Sequence, residues 1–179
     1  MRETELIRSL RAVRQFSKRE IADDVLHDII DTGRWTGSSK NTQPWDLIVV
    51  KNRETLVALS KCGQFAGHLA GATVAIALVM HGDDAWTCMD EGRLMQNLML
   101  AAWAHGVGSC IGSIYPRDNE QRARDLLGVP SNRFVRTALS VGYPVSPQAL
   151  RLPANARVPR GRRPLEDVVS WERFGNRRA

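Results

Sequence analysis

Apolar residues recur along this chain with two periods, and the change of period marks its elements. In residues 3–14, Leu6, Leu10 and Val13 fall at helical spacing and give a helix one apolar face. An extended piece follows through Phe16. Ser17 and Glu20 have the spacing of a capping box, although Asp23 or Asp24 serves equally to open the next helix. That helix runs to about Gly33, with Val25, Leu26, Ile29 and Ile30 inward. Residues 45–50, WDLIVV, read as a strand, and RETLVALSKC after them as a helix. Residues 73–80, TVAIALVM, are continuously apolar and partly β-branched, which predicts a strand covered on both faces. A long helix over 89–105 buries Leu94, Leu98, Ala101 and Ala102; a short helix over 119–127 and a strand over 133–144 follow. No repeat is present. Helices and strands intermix without a strict βαβ rhythm, which predicts one α+β domain over 1–179, a mixed central sheet flanked by helices.

Composition agrees with a folded globule: 179 residues, 43% of them hydrophobic. The longest apolar run, residues 66–80, is shorter than the ~20 residues that span a bilayer and contains His68. Charges spread through the first 16 residues argue against a secretory signal, so the expected compartment is the cytoplasm. Cys62, Cys88 and Cys110 are odd in number and far apart, and are expected to be buried free thiols. His27, His68, His81 and His105 form no metal-binding pair, so no metal is expected. The net charge of +6 is concentrated at the ends. Six of the 25 lysines and arginines stand in residues 1–20 and eight in residues 151–179. Such ends are either solvated, with loose affinity for nucleic acid, or they converge on one anion.

Three stretches bear on chemistry. GVGSCIG (106–112) has the glycines of a dinucleotide loop in the wrong order, because it follows a helix and leads into an extended segment. Gly106 fits a helix C-cap, and the small residues after it let backbone N–H groups approach a flat ligand. Ser109, Cys110 and His105 lie close in sequence but lack a nucleophile elbow. RAVRQF (11–16) places Arg11 and Arg14 on one face of a helix end, fixed by Val13 and Phe16, as a site for phosphate; RGRRP (160–164) offers a second basic cluster. SSKNTQPW (38–45) has more hydrogen-bonding groups than a turn requires, and Pro44 pushes Gln43 towards an extended conformation.

Taken together, these motifs resemble the nitroreductase family of FMN-dependent oxidoreductases. The resemblance rests on RAVRQF, on SKNTQPW before the first strand, on GYP (142–144) followed by RGRRPLEDVV, and on GVGSCIGS after the long helix. It implies an intertwined homodimer with FMN at the interface. Arg11, Ala12 and Arg14 from one end of the chain, with Arg160 and Arg162 from the other, would surround the phosphate. Ser38, Ser39, Asn41 and Gln43 would meet the flavin's polar edge and ribityl chain across the interface, with Trp45 starting the strand beneath. Gln64 would contact the pyrimidine ring, and a backbone N–H at Gly112 or Ser113 would meet flavin N5. Trp171 and Phe174 would wrap the partner. The implied reaction passes hydride from NAD(P)H through flavin N5 to a nitroaromatic, quinone or enone, with no acid–base residue identified. Flavin breakdown or reductive dehalogenation on the same fold, and a non-enzymatic regulator binding flavin or nucleic acid, are the alternatives. Leu10, Arg11 and Ala12 stand where the family often has two arginines and a serine, so one phosphate contact and one hydroxyl are absent. Arg163 can substitute for Arg162, and the short chain leaves no room for a large lid.

Overall fold

The three predicted strands and the extended segment after Gly106 form one four-stranded sheet, and its order explains their composition. In the computed structural model, which describes residues 3–150 and 161–177, strands β1 (Trp45–Val50), β2 (Val74–Met80), β3 (Gly108–Ser113) and β4 (Phe134–Gly142) lie in the order β1-β2-β4-β3. Every residue of β2 is buried. Val74, Ile76, Leu78 and Met80 enter one apolar cluster, while Ala75, Ala77 and Val79 enter another, as strand alternation requires. Of the helices α1 (Glu3–Ser9), α2 (Asp23–Arg34), α3 (Arg53–Ser60), α4 (Ala85–Ala104) and α5 (Arg117–Leu127), the last four cover the sheet, and α1 lies against α4. Leu26 and Ile29 of α2 and Leu94 and Leu98 of α4 fill the first cluster; Leu56 and Leu59 of α3 and Ala123 of α5 fill the second.

The α+β class is as expected, but the pairing within the sheet is not. All three ladders are antiparallel where a mixed sheet was predicted. Strands β2 and β3 do run in the same direction, joined through α4, but β4 inserts between them antiparallel to both. Among the described residues, parallel pairing is confined to a single bridge between Ala12 and Ser109.

The N-terminal prediction also needs correction. Helix α1 stops at Ser9, whose hydroxyl accepts a hydrogen bond from Trp103 Nε1 at 2.9 Å. The chain then extends along β3: the Val13 N–H donates to the Ser109 carbonyl at 2.9 Å, and Phe16 pairs with Pro144. Val13 is fully buried against Gly108, where a Cβ would stand 2.5 Å from Val13 Cγ2. Arg11 and Arg14 therefore share no helix face. Pairing the sheet edge won over continuing the helix. Ser17 caps nothing at α2: its N–H donates to the Tyr143 carbonyl at 2.8 Å and its Oγ accepts from the Arg19 N–H at 3.4 Å, short of the helix, and α2 opens after Ala22 without a side-chain cap. Helix α4 starts at Ala85, earlier than expected, because Asp84 accepts from the N–H groups of Trp86 and Thr87. Gly106, at φ +69°, follows its C-terminal end. Cys62 and Cys110 are buried, but Cys88 is exposed on the first turns of α4. No helix among the described residues is long and apolar enough to cross a membrane.

Candidate functional site

Strand β3 is an edge strand, and the N-terminal segment covers only its first half. Ile114 donates to the Arg136 carbonyl at 2.8 Å, and Gly112 and Ser113 stand opposite Ala138 and Thr137. Antiparallel alternation then turns the Gly112 amide towards β4 and the Ile111 and Ser113 amides towards the open edge. Among the described residues, neither of those two amides has a hydrogen-bond partner. An edge with unpaired donors is a platform for a flat polar ligand or another strand.

The side chains at this edge are cationic and polar. Arg14 leaves the β3 pairing exposed, without a carboxylate partner among the described residues. Arg11 is also exposed, with Nη1 donating to the carbonyls of Arg8 and Leu10 at 2.8 and 2.9 Å. Ala12 lies between them, exposed, at the bridge to Ser109. His68 reaches in from the loop before β2. Its Nε2 lies 3.3 Å from the Ile111 carbonyl, which can only accept, so Nε2 carries the proton. Its Nδ1 then accepts from the Ser140 hydroxyl at 2.8 Å. Burial pushes the His68 pKa below its ordinary value; the Ile111 carbonyl opposes this and the Arg14 charge adds to it. The imidazole is therefore neutral near pH 7, and Arg14 carries the charge. Burial likewise pushes the Cys110 thiol up, against the Arg14 charge. Gly63 packs so tightly on Ser113 that a Cβ there would stand 2.1 Å from the Ser113 carbonyl oxygen, which brings the exposed Gln64 alongside the end of β3.

The second group is the loop before β1. Residues Ser39–Asn41 form a 3-10 turn, and Lys40, Asn41 and Gln43 have φ of 51°, 55° and 46°. Gln43 was expected to be extended before Pro44; it is left-handed instead, because its N–H is captured by Ser38 Oγ at 2.8 Å. Left-handed non-glycine residues cost on the order of 1–3 kcal/mol each and collect at ligand sites. Asn41, Thr42 and Gln43 are exposed, with Gln43 Nε2 donating to Asn41 Oδ1 at 3.3 Å. The Ser39 N–H donates to the buried carboxylate of Asp90 at 3.2 Å.

One chain does not bring these groups together. The loop leads into β1 at one edge of the sheet, and Arg14 with Ser113 lies at β3, the other edge. Along α4, Asp90 holds the loop and Trp103 holds Ser9, thirteen residues apart or roughly 20 Å. In the C-terminal segment Arg162 is exposed, donating to the Gly161 carbonyl at 3.1 Å, and Arg160 lies outside the described residues. Arg177 is taken up by the carbonyls of Glu166 and Val169, both at 2.9 Å. Leu165, Val168, Trp171 and Phe174 of this segment are exposed, Phe174 to 99%. His68, Ser140 and Asp90 did not emerge from the sequence. His68 and Asp90 each left a signal there, His68 as the one ionisable residue in the apolar run 66–80 and Asp90 as part of an Asp-Glu pair inside a largely apolar helix.

Comparison with known proteins places these features in context. Residues 7–66 and 61–143 match the model of the nitroreductase family. A protein of Archaeoglobus fulgidus, carrying the provisional name NADH dehydrogenase/NAD(P)H nitroreductase, is 35% identical over 146 residues, covering 78% of this chain and 83% of its own length. The NADPH-flavin oxidoreductase of Vibrio harveyi is 27% identical over 193 residues, covering 94% of this chain and 78% of that protein. Among solved structures, an FMN-dependent nitroreductase from Clostridium difficile R20291 superposes with a TM-score of 0.80 at 23% identity, over 94% of this chain and 98% of that one; this is a likeness of fold.

Proposed function

The chain belongs to the nitroreductase family, and from that premise we propose that it is an FMN-dependent NAD(P)H oxidoreductase, active as a homodimer, whose acceptor is a nitroaromatic, quinone or enone. The residues present fit FMN. Exposed arginines that have no carboxylate partner among the described residues suit a phosphate of nearly two negative charges. The open β3 edge offers amides to the polar rim of a flat ring, and the strained loop offers side-chain oxygens and amides to a polyol.

Bound FMN would supply the redox chemistry, hydride transfer between NAD(P)H and the acceptor. The chain's residues hold and orient it. Arg14 and Arg11, flanking Ala12, grip the phosphate, and Arg160 and Arg162 of the C-terminal segment complete the cluster. The Ser113 amide, on the open edge, would be available to N5; the Gly112 amide is spent on β4, and glycine is required there because a Cβ would crowd the Ala138 carbonyl and Leu69 at 3.1 and 3.2 Å. Gln64 contacts the pyrimidine ring. Ser38, Ser39, Asn41 and Gln43 reach the ring edge and ribityl chain from a second copy.

The observation that carries this reading is the separation of the two groups on opposite edges of one sheet, so that one complete site needs two chains. Exposed apolar groups supply the means of association. Trp86, 66% exposed, and Met89 stand on α4, and the C-terminal segment adds Trp171 and Phe174. A helix apolar on more than its core face is normally covered on both sides. The test is the absorbance of the purified protein, its anaerobic bleaching by NAD(P)H, and recovery on adding members of an acceptor panel. A yellow protein that bleaches and recovers is expected. A colourless protein that shifts DNA in a salt-sensitive way would replace this reading with the nucleic-acid one.

A further inference from the structure

The loop of residues 38–43 is strained, and its own hydrogen bonds do not fix it to the fold. What fixes it is one side of α4. Asp90 Oδ2 accepts the Ser39 N–H at 3.2 Å, and Asp90 Oδ1 accepts Arg93 Nη1 at 3.2 Å. The Arg93 guanidinium lies over Gly37, its Nη2 2.7 Å from where a Cβ would stand. Asn97 Nδ2 donates to Thr36 Oγ1 at 2.8 Å, and Thr36 is buried. Positions 90, 93 and 97 fall on one side of a helix, one turn apart. Three turns of α4 thus hold residues 36, 37 and 39 in order. Asp90 is only 4% exposed, and a buried carboxylate is costly unless its oxygens are satisfied. Here it satisfies the first amide of a 3-10 turn, a donor with no partner inside the turn.

We infer that Asp90, Arg93 and Asn97 form a positioning ladder that sets the loop's left-handed geometry for the flavin, with Asp90 as its principal rung. This rests on the FMN reading above. The ladder acts on the loop, which meets ring and ribityl groups, and not on the arginines that meet the phosphate. Loss of Asp90 should therefore weaken FMN and riboflavin by the same factor, whereas loss of Arg14 should weaken FMN alone.

The experiment measures dissociation constants of both flavins by fluorescence quenching for the full-length protein and for Asp90→Ala, Asp90→Asn, Asn97→Ala and Arg14→Ala, with thermal unfolding of each apoprotein. Asp90→Ala should weaken both flavins equally, by about ten- to a hundredfold. Asp90→Asn should stay within about threefold of the parent, because its one carbonyl oxygen can turn to accept the Ser39 N–H that Oδ2 accepts in the parent, at the expense of the exposed Arg93 contact alone. A folded Asp90→Ala that binds both flavins like the parent overturns the ladder while leaving the FMN reading intact; so does an Asp90→Asn as weak as the alanine variant. Should Asp90→Ala fail to fold, Asn97→Ala decides: an equal loss of a few-fold for both flavins supports the ladder, and no loss overturns it. A parent protein that binds neither flavin overturns the FMN reading and this inference with it.

Discussion

The open edge of β3 and the loop before β1 offer a ligand the same kinds of group by opposite means. At β3 the donors are main-chain amides left over by regular antiparallel pairing, so the sheet itself aims them. In the loop the donors are side chains on a backbone with three left-handed residues, which no regular element would hold. The first site is rigid by construction. The second depends on Asp90 and its neighbours on α4. The contrast implies that the two should fail differently: damage at β3 removes single contacts, while damage to what holds the loop removes many at once.

The largest expected effect comes from breaking association. Deleting residues 168–179 removes Trp171 and Phe174 and should yield aggregated or monomeric protein without flavin, read by sedimentation and absorbance. A flavin-replete monomer would place both halves in one chain. Next comes Arg14→Ala, which removes a charge-assisted contact and should cost about 1.5–3 kcal/mol, roughly 10- to 150-fold in FMN affinity, with the fold intact. Unchanged flavin retention after dialysis would remove Arg14 from the phosphate site.

A smaller effect separates the β3 amides. Proline is tolerated on an edge strand, so Ser113→Pro deletes one outward N–H while keeping the ladder to β4. Flavin should remain bound, and the anaerobic rate of reduction by NAD(P)H should fall about tenfold. An unaltered rate would mean that this amide does not face the reacting atom. The smallest effect is on pH dependence. The His68 pKa is depressed by burial, so below about 6.5 the unfolded chain takes a proton that the folded chain refuses. Its contribution to stability is full above that value and declines as pH falls towards the depressed folded pKa. His68→Gln should flatten this part of the apoprotein's stability profile, and a profile identical to the parent's would contradict the neutral assignment.

Much of this contrast was legible in the sequence, for reasons that differ by region. The continuously apolar run at 73–80 could only be a strand covered on both faces, and the apolar spacing of α4 fixed its buried side. The end of α1 was not legible. Val13 has helical spacing from Leu6 and Leu10, and only the unpaired edge of β3, nearly a hundred residues later, decides that it extends. Gln43 was misplaced for a similar reason: the local rule about the residue before proline lost to a hydrogen bond from its own N–H to Ser38 Oγ. The motifs named the candidate residues of both half-sites but not their supports, since His68 and Asp90 take their meaning from Ile111, Ser140 and Ser39, which are distant in sequence.

The central claim is that one flavin site is built from two chains, and complementation tests it most directly. One chain would carry Arg14→Ala with Ser113→Pro, crippling the β3 half; the other would carry Ser38→Ala with Asn41→Ala, crippling the loop half. Each alone should bind FMN weakly. A heterodimer isolated through two different tags should regain one tight FMN, because one of its two sites then has both halves intact and the other has both damaged. Flavin titration of that heterodimer decides the matter: one tight site supports the shared architecture, and no tight site at all would show that both halves belong to the same chain.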